Sequence, residues 1–169
     1  MKIKSIILYT LILLTSCSSS VFKGPYIDPV LDHAYDDWKT ECGLRKIKLH
    51  RNTCNLDSIL YDVLDAGVWG KCLGDKIIIN KLAIEPTDTF LIKLIMYHEL
   101  GHCAFDYRHV DYGLDIMNSV LPESKIIAYR WFWDFLKEDY FRRYQLPKDR
   151  RGLKQGNRYG EVCIQNETL

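Results

Sequence analysis

The residues best suited to chemistry are His98, Glu99 and His102, which stand in the pattern His-Glu-x-x-His. Two histidines four residues apart lie on one face of an α-helix, one turn apart, so both imidazoles can reach a single metal ion. A carboxylate beside them can take a proton from a water that the metal activates. The pattern therefore predicts a hydrolytic metal site, for which zinc is the usual ion.

The segment around this pattern favours a buried helix. Leu91, Ile95, His98 and His102 form one stripe, which begins with apolar residues and ends with two imidazoles. In a core, two histidines and a glutamate are costly unless something binds them. Two surface histidines beside a solvated glutamate would be the alternative, and the apolar surroundings disfavour it.

A third ligand has to come from outside the two-histidine turn, because a catalytic zinc ion has three protein ligands and one water. His109 follows His102 by seven residues, and a helix that ends near Tyr107 would allow His109 to return to the metal. Asp106 and Asp111 are alternative third ligands. We expect one metal ion per chain.

Further side chains are candidates for supporting roles. Histidine ligands usually donate their second ring N–H to an outer acceptor, and Asp106, Asp111 and Asp115 are candidates for that acceptor. Tyr107 or Tyr112 could assist a developing oxyanion. The spacing does not choose among them.

The order His-Glu-x-x-His, later His, later Met resembles the metzincin clan of zinc peptidases, in which a methionine turn lies beneath the metal. The resemblance implies an α+β fold, Met117 as the methionine of the turn, His98, His102 and His109 as zinc ligands, and Glu99 as the base. It also implies a substrate peptide paired with the edge strand before the motif helix.

The sequence departs from the metzincin pattern where the motif helix should end. The pattern has glycine three residues after the second histidine and the third histidine three residues later. Phe105 and Arg108 occupy these positions, and His109 comes one residue late. Position 119, where some metzincins have a tyrosine, is Ser119. Phenylalanine does not adopt the left-handed turn cheaply, so a different turn must return His109 to the metal.

The stretch from Gly70 to Met117 is also similar to small bacterial and phage proteins that are grouped as metallopeptidases by motif. They share Gly-x-Cys, a short apolar strand, HELGHC, a later histidine and Ile-Met, which here cover about a third of the chain. This similarity implies a disulfide between Cys72 and Cys103. Cys42 with Cys54 is the next pair that we expect in an exported protein.

The first residues predict export. Residues 1–16 are typical of a signal peptide, because two lysines precede the apolar run Ile6–Leu14, which is too short to span a bilayer. Leu14-Thr15-Ser16-Cys17 resembles the bacterial lipobox, which implies that Cys17 is acylated, with palmitate among the acyl chains, and that residues 17–27 form a tether. A plain secretory signal is the alternative. We expect a lipid-anchored protein of the bacterial cell envelope, at the outer membrane in a host that has one.

Charge and length limit the partners. Without Lys2 and Lys4 the chain has 21 basic and 22 acidic residues, which gives no reason to expect nucleic acid. We expect a membrane partner through the anchor and a peptide or protein substrate. The chain is long enough for one domain, predicted over residues 28–144, followed by a basic, solvated tail over residues 145–169.

The predicted elements give an α+β fold with a small twisted mixed sheet, a buried motif helix and a long C-terminal helix. They are a helix over Pro29–Glu41 capped by Asp28, a strand over Lys46–His50, a helix or strand over Ser58–Leu64, a hairpin of Val68–Cys72 and Lys76–Asn80, the motif helix after the capping segment Pro86-Thr87-Asp88, and an aromatic helix from Pro122 to about Arg143. Lys76–Asn80 would be the substrate-binding edge strand.

The aromatic helix carries two apolar faces. Ile127, Trp131 and Phe135 share one face, and Phe132, Leu136 and Tyr140 share the next. We expect the helix to pack beneath the metal floor, with a helix lying on the membrane as the alternative.

These features predict a membrane-tethered zinc endopeptidase. A non-catalytic binding lipoprotein with a structural zinc site is the alternative, which the glutamate between the histidines disfavours, since a structural site needs no base.

Overall fold

The computed structural model describes residues 24–47, 56–110, 113–146 and 161–163. Within these residues the chain forms a five-stranded mixed sheet and four α-helices, which confirms the α+β class. In chain order the elements are β1 (Tyr26–Ile27), α1 (Asp32–Leu44), β2 (Ser58–Asp62), β3 (Val68–Cys72), β4 (Lys76–Asn80), α2 (Thr89–Phe105), α3 (Glu123–Trp131), α4 (Trp133–Arg143) and β5 (Glu161–Cys163).

The sheet has the strand order β1-β2-β4-β3-β5. β2 is parallel to β1 and β4, whereas β3 is antiparallel to β4 and β5. The predicted hairpin is confirmed, and Gly74 in its turn has φ +91°, a value that favours glycine.

The expectation that Lys76–Asn80 is an edge strand is wrong. This strand, β4, lies at the centre of the sheet, paired along its whole length with β2 from Ser58 opposite Lys76 to Asp62 opposite Asn80. Ile77 and Ile79 are fully buried, as expected for a strand with neighbours on both sides.

The segment before β2 partly follows the prediction. Asp28 accepts a hydrogen bond from the Val30 N–H, and a 3-10 turn over Pro29–Leu31 leads into α1. Lys46 lies in a turn with φ +55°, so the strand predicted from Lys46 does not begin there, and residues 48–50 lie outside the described part of the chain. The ambiguous segment after it is strand β2.

Helix α2 forms the centre of the core. Asp88 caps it by accepting a hydrogen bond from the Leu91 N–H at 3.0 Å. The helix packs against β3 and β4 on one side and against α1 on another. Tyr97 and Phe105 also make ring contacts with Tyr140 of α4, at 5.7 and 5.8 Å between centroids. The helix is therefore enclosed, as its apolar circumference predicted.

The expected long C-terminal helix is two helices, α3 and α4, which are separated at Phe132 (φ −101°, ψ 13°). Both sides of the break are anchored: the Tyr129 hydroxyl donates to the Asp115 carbonyl at 2.9 Å, and the Trp133 ring packs edge-on against Tyr97 at 5.1 Å. Phe132, where the helix is interrupted, lies between these two anchors.

The expectation that the aromatic helix packs in the core is correct only in part. Leu136 and Tyr140 are buried. The other face is exposed, as is Phe132; the exposed fractions are 68% for Ile127, 83% for Trp131, 56% for Phe132 and 72% for Phe135.

The sheet extends past the predicted domain limits of 28 and 144 at both ends, since it includes β1 and β5. Glu161–Cys163 of the predicted solvated tail is thus a strand of the sheet. No helix in the described ranges is both long and apolar enough to cross a bilayer. The predicted signal peptide and Cys17 lie outside those ranges.

Candidate metal centre

Three histidines converge at one point beside α2. The Nε2 atoms of His98 and His102 lie 3.0 Å apart, those of His102 and His109 lie 3.0 Å apart, and those of His98 and His109 lie 3.2 Å apart. His98 is fully buried, whereas His102 and His109 are partly exposed, so solvent can reach the cluster from their side. The cluster could hold a metal ion.

Backbone carbonyls orient the two helical histidines. Nδ1–H of His98 donates to the Ile116 carbonyl at 2.6 Å, and Nδ1–H of His102 donates to the Tyr107 carbonyl at 2.7 Å. A neutral imidazole protonated at Nδ1 presents a lone pair at Nε2. The two hydrogen bonds therefore point lone pairs toward the centre of the cluster, as metal ligands require.

The end of α2 explains how His109 returns. Asp106, one residue after the helix, adopts the left-handed conformation with φ +58° and ψ +34°. The Tyr107 N–H then donates to the Gly101 carbonyl at 2.9 Å, which turns the chain back along the helix. Aspartate tolerates this conformation better than most residues. The late turn at Asp106 accordingly matches the late position of His109.

Met117 is buried against α2. Its carbonyl accepts a hydrogen bond from the Val110 N–H at 2.8 Å, and the carbonyl of the residue before it, Ile116, reaches His98. The Met117 side chain is buried against Gly101, where a Cβ would lie 2.5 Å from its sulfur. Glycine at position 101 thus leaves room for the Met117 side chain to approach α2 closely.

The Asp115 carboxylate holds the backbone at Met117 and links it to α4. It accepts from the Met117 N–H at 2.8 Å and forms an ion pair with Arg143 of α4, in which Nη1 donates to Oδ1 at 3.0 Å. Asp106 is exposed at the helix end. For His98 and His102, backbone carbonyls therefore fill the role that the sequence proposed for aspartates.

Three other sequence candidates lie apart from the site or outside the described residues. The Tyr107 hydroxyl is buried and donates to the Tyr140 carbonyl at 2.8 Å, so it does not assist an oxyanion at the cluster. Asp111 and Tyr112 fall in the gap between residues 110 and 113, and their roles stay predictions.

Glu99 lies on α2 between the two helical histidines and is fully buried against β3. The strand residue that faces it is Gly70: a Cβ there would lie 2.8 Å from Oε1 of Glu99 and 2.5 Å from the Ile95 side chain. The missing side chain at Gly70 provides the space that Glu99 occupies. Sequence reasoning noted Gly70 only as part of a motif and missed this contact.

Gly70→Ala is expected to lower the free energy of unfolding by about 1–3 kcal/mol, the usual cost of overpacking a core. It should also displace Glu99 and leave the histidines in place, so any turnover falls while metal content does not. Gly43→Ala on α1 is the matched control, because nothing lies within 4 Å of its added Cβ. Urea unfolding of both variants makes the comparison; equal stabilities would contradict the contact.

The surroundings of His98 and His102 favour the neutral form of both side chains. Burial, and then the neighbouring His102 and His109, lower the pKa of His98 well below its usual value. Burial and the proximity of His109 lower the pKa of His102 to about 4. Neutral imidazole is the form that binds a metal, so both side chains are competent ligands at neutral pH.

Acid should destabilise the metal-free protein. Histidines of the unfolded chain take up protons near pH 6.5, whereas His98 and His102 of the folded chain do not. The free energy of unfolding therefore falls as the pH drops from about 6.5 toward 4. His102 accounts for up to about 3 kcal/mol of this loss. Urea unfolding at a series of pH values should show a shallower slope for His102→Gln than for wild type. Equal slopes in wild type and His102→Gln would contradict the assignment.

A disulfide links α2 to the sheet. Cys72 at the end of β3 is bonded to Cys103, the residue after His102, with a Cα–Cα distance of 5.9 Å. This is the pair that the motif resemblance implied. Cys42 is buried on α1 and Cys54 lies outside the described residues, so their pairing stays a prediction.

Comparisons of this chain with protein-family models, with curated proteins and with solved structures found no match. The fold and the cluster define an α+β protein with three convergent histidines that could hold a metal ion.

Proposed function

We propose that this protein is a zinc-dependent peptidase that hydrolyses peptide bonds, most simply as an endopeptidase. One observation carries the proposal: the Nε2 atoms of His98, His102 and His109 converge, and the helix that carries His98 and His102 also carries the buried Glu99. The resemblance of the motif order to metzincins supports peptides as the substrate class. The histidines alone would equally suit a structural metal site.

The histidine cluster suits zinc in donor type and in spacing. Zinc binds imidazole nitrogen at about 2.0–2.1 Å, and a tetrahedral site with such bonds has ligand atoms about 3.3–3.4 Å apart. The observed separations of 3.0–3.2 Å lie close to this value. The three imidazoles leave the exposed side of the cluster for a fourth ligand, as a catalytic site needs.

In the proposed reaction, His98, His102 and His109 hold the ion. When bound, zinc lowers the pKa of a water molecule and polarises the substrate carbonyl. Glu99 accepts the proton of the attacking water and returns it to the leaving amine. The carbonyls of Ile116 and Tyr107 keep His98 and His102 in the required tautomer throughout.

The experiment is cleavage of an unstructured, fluorescence-quenched peptide library by the folded full chain. We expect cleavage with one equivalent of zinc, loss of cleavage with a chelator, and recovery when zinc is added back. Zinc binding without turnover would overturn the enzymatic proposal and favour the non-catalytic binding lipoprotein.

We further propose that the protein is tethered to a membrane of the bacterial envelope through an acyl chain on Cys17. The lipobox-like sequence supports this proposal. Cys17→Ala is expected to move the protein from the membrane fraction to the soluble fraction of a bacterial host, whereas Ser18→Ala leaves it at the membrane. A Cys17→Ala protein that stays in the membrane fraction would contradict the tether.

A further inference from the structure

Strand β3 is the part of the sheet closest to the proposed base. Its residue Gly70 abuts Glu99, and its last residue, Cys72, is bonded to Cys103 of α2. One edge of β3 pairs with β4, so only its outer edge is open to another strand. An extended backbone on that outer edge runs about 4.8 Å from β3, beside the residue that touches Glu99.

The chain itself occupies this edge. β5 pairs antiparallel with β3, with Val162 opposite Gly70 and Glu161 opposite Lys71. A register irregularity lies between Val68 and Gly70, and bulges of this kind are common at sheet edges and beside active sites. Seventeen residues, 144–160, separate this strand from the end of α4.

Strand β5 has the properties of a strand that another extended peptide could replace. β5 is three residues long, shorter than the usual five or six, so few backbone hydrogen bonds hold it. Backbone pairing with a sheet edge accepts many sequences, which is how extended peptides are bound in other proteins. The covalent link to α4 gives the segment a high effective concentration, so a peptide from another molecule must compete with it.

We propose that the outer edge of β3 is a binding site for an extended peptide, and that Glu161–Cys163 of the chain occupies this site and competes with the substrate. The proposal rests on the proposed peptidase function for the identity of the competing peptide. It makes the C-terminal segment a competitive inhibitor in cis.

The test uses a fluorescein-labelled peptide of residues 157–169 with Cys163→Ser, and fluorescence anisotropy with the folded full chain. Val162→Pro removes a backbone donor and fixes φ, so it should release β5, whereas Val162→Thr retains the strand preference. We expect the peptide to bind Val162→Pro about tenfold more tightly than wild type or Val162→Thr. A peptide that itself carries Val162→Pro should not bind.

Two further measurements keep the test decisive. If the proline variant does not fold, Val162→Gly takes its place, because glycine weakens strand pairing without removing the N–H. This variant should bind the labelled peptide more tightly than wild type, by less than the roughly tenfold expected for Val162→Pro. Amide hydrogen exchange of β3 should accelerate in the released variants and slow again when the peptide is added. Equal binding to wild type and to both weakened variants would overturn the proposal.

The result is separable from the fate of the peptidase proposal. If the peptide binds as expected but no peptide is cleaved with zinc, the binding edge stands and the enzymatic function fails. If zinc-dependent cleavage occurs with the same KM in wild type, Val162→Gly and Val162→Pro, the function stands and the competition in cis is excluded.

Discussion

Glu99→Gln is expected to lower kcat for peptide cleavage by about 10²–10⁴-fold, the usual contribution of a general base. The amide has nearly the shape of the carboxylate, so it fits the space left by Gly70, but it cannot accept the proton of the attacking water. The three histidines are unchanged, so zinc content should stay at one ion per chain. Steady-state kinetics together with metal analysis of the same preparation provide the measurement.

Glu85→Gln is the matched control for Glu99→Gln, because Glu85 is exposed on the segment before α2 and lies away from the histidines in the chain. It should cleave as well as wild type. If Glu99→Gln kept the kcat of wild type with a full complement of zinc, Glu99 would not be the base.

His109→Ala is expected to weaken zinc binding by more than about 100-fold. Removing only a hydrogen-bond partner of a metal ligand weakens metal binding by about 10–100-fold, and removing the ligand itself should cost more. The substitution takes away one of three converging nitrogens and leaves His98 and His102 3.0 Å apart. Competition with a chromogenic zinc chelator measures the affinity. Cleavage should be lost at zinc concentrations that saturate the wild type.

Asp106→Asn and His33→Ala are the controls for His109→Ala. Asparagine keeps the left-handed turn that ends α2 but removes the carboxylate that was an alternative ligand. Both controls should bind zinc as the wild type does. Loss of zinc in Asp106→Asn, with retention in His109→Ala, would show that the ligand set is a different one.

The sequence predicted those parts of the structure that depend on local pattern. The spacing of His98 and His102, the cap at Asp88 and the β3–β4 hairpin each follow from a few neighbouring residues. The sequence showed that some turn must return His109 to the cluster, but it did not show where. Aspartate tolerates the left-handed conformation that Asp106 adopts without favouring it, so this residue does not predict the turn. Glycine at that position would have predicted the turn.

The rest depends on contacts between distant segments. β4 becomes a central strand because β2, many residues earlier, pairs with it. The break at Phe132 lies in a continuous helical sequence pattern, between the tertiary contacts of Tyr129 and Trp133. The carbonyls that orient His98 and His102 belong to the backbone, which carries no sequence signal.

X-ray absorption at the zinc K-edge of the full chain, loaded with one equivalent of zinc, tests whether the three histidines bind the ion. We expect tightly bound zinc with three imidazole nitrogens at about 2.0–2.1 Å and one further light ligand. A folded chain that binds no zinc, or sulfur ligands at about 2.3 Å in place of the three imidazoles, would exclude this site.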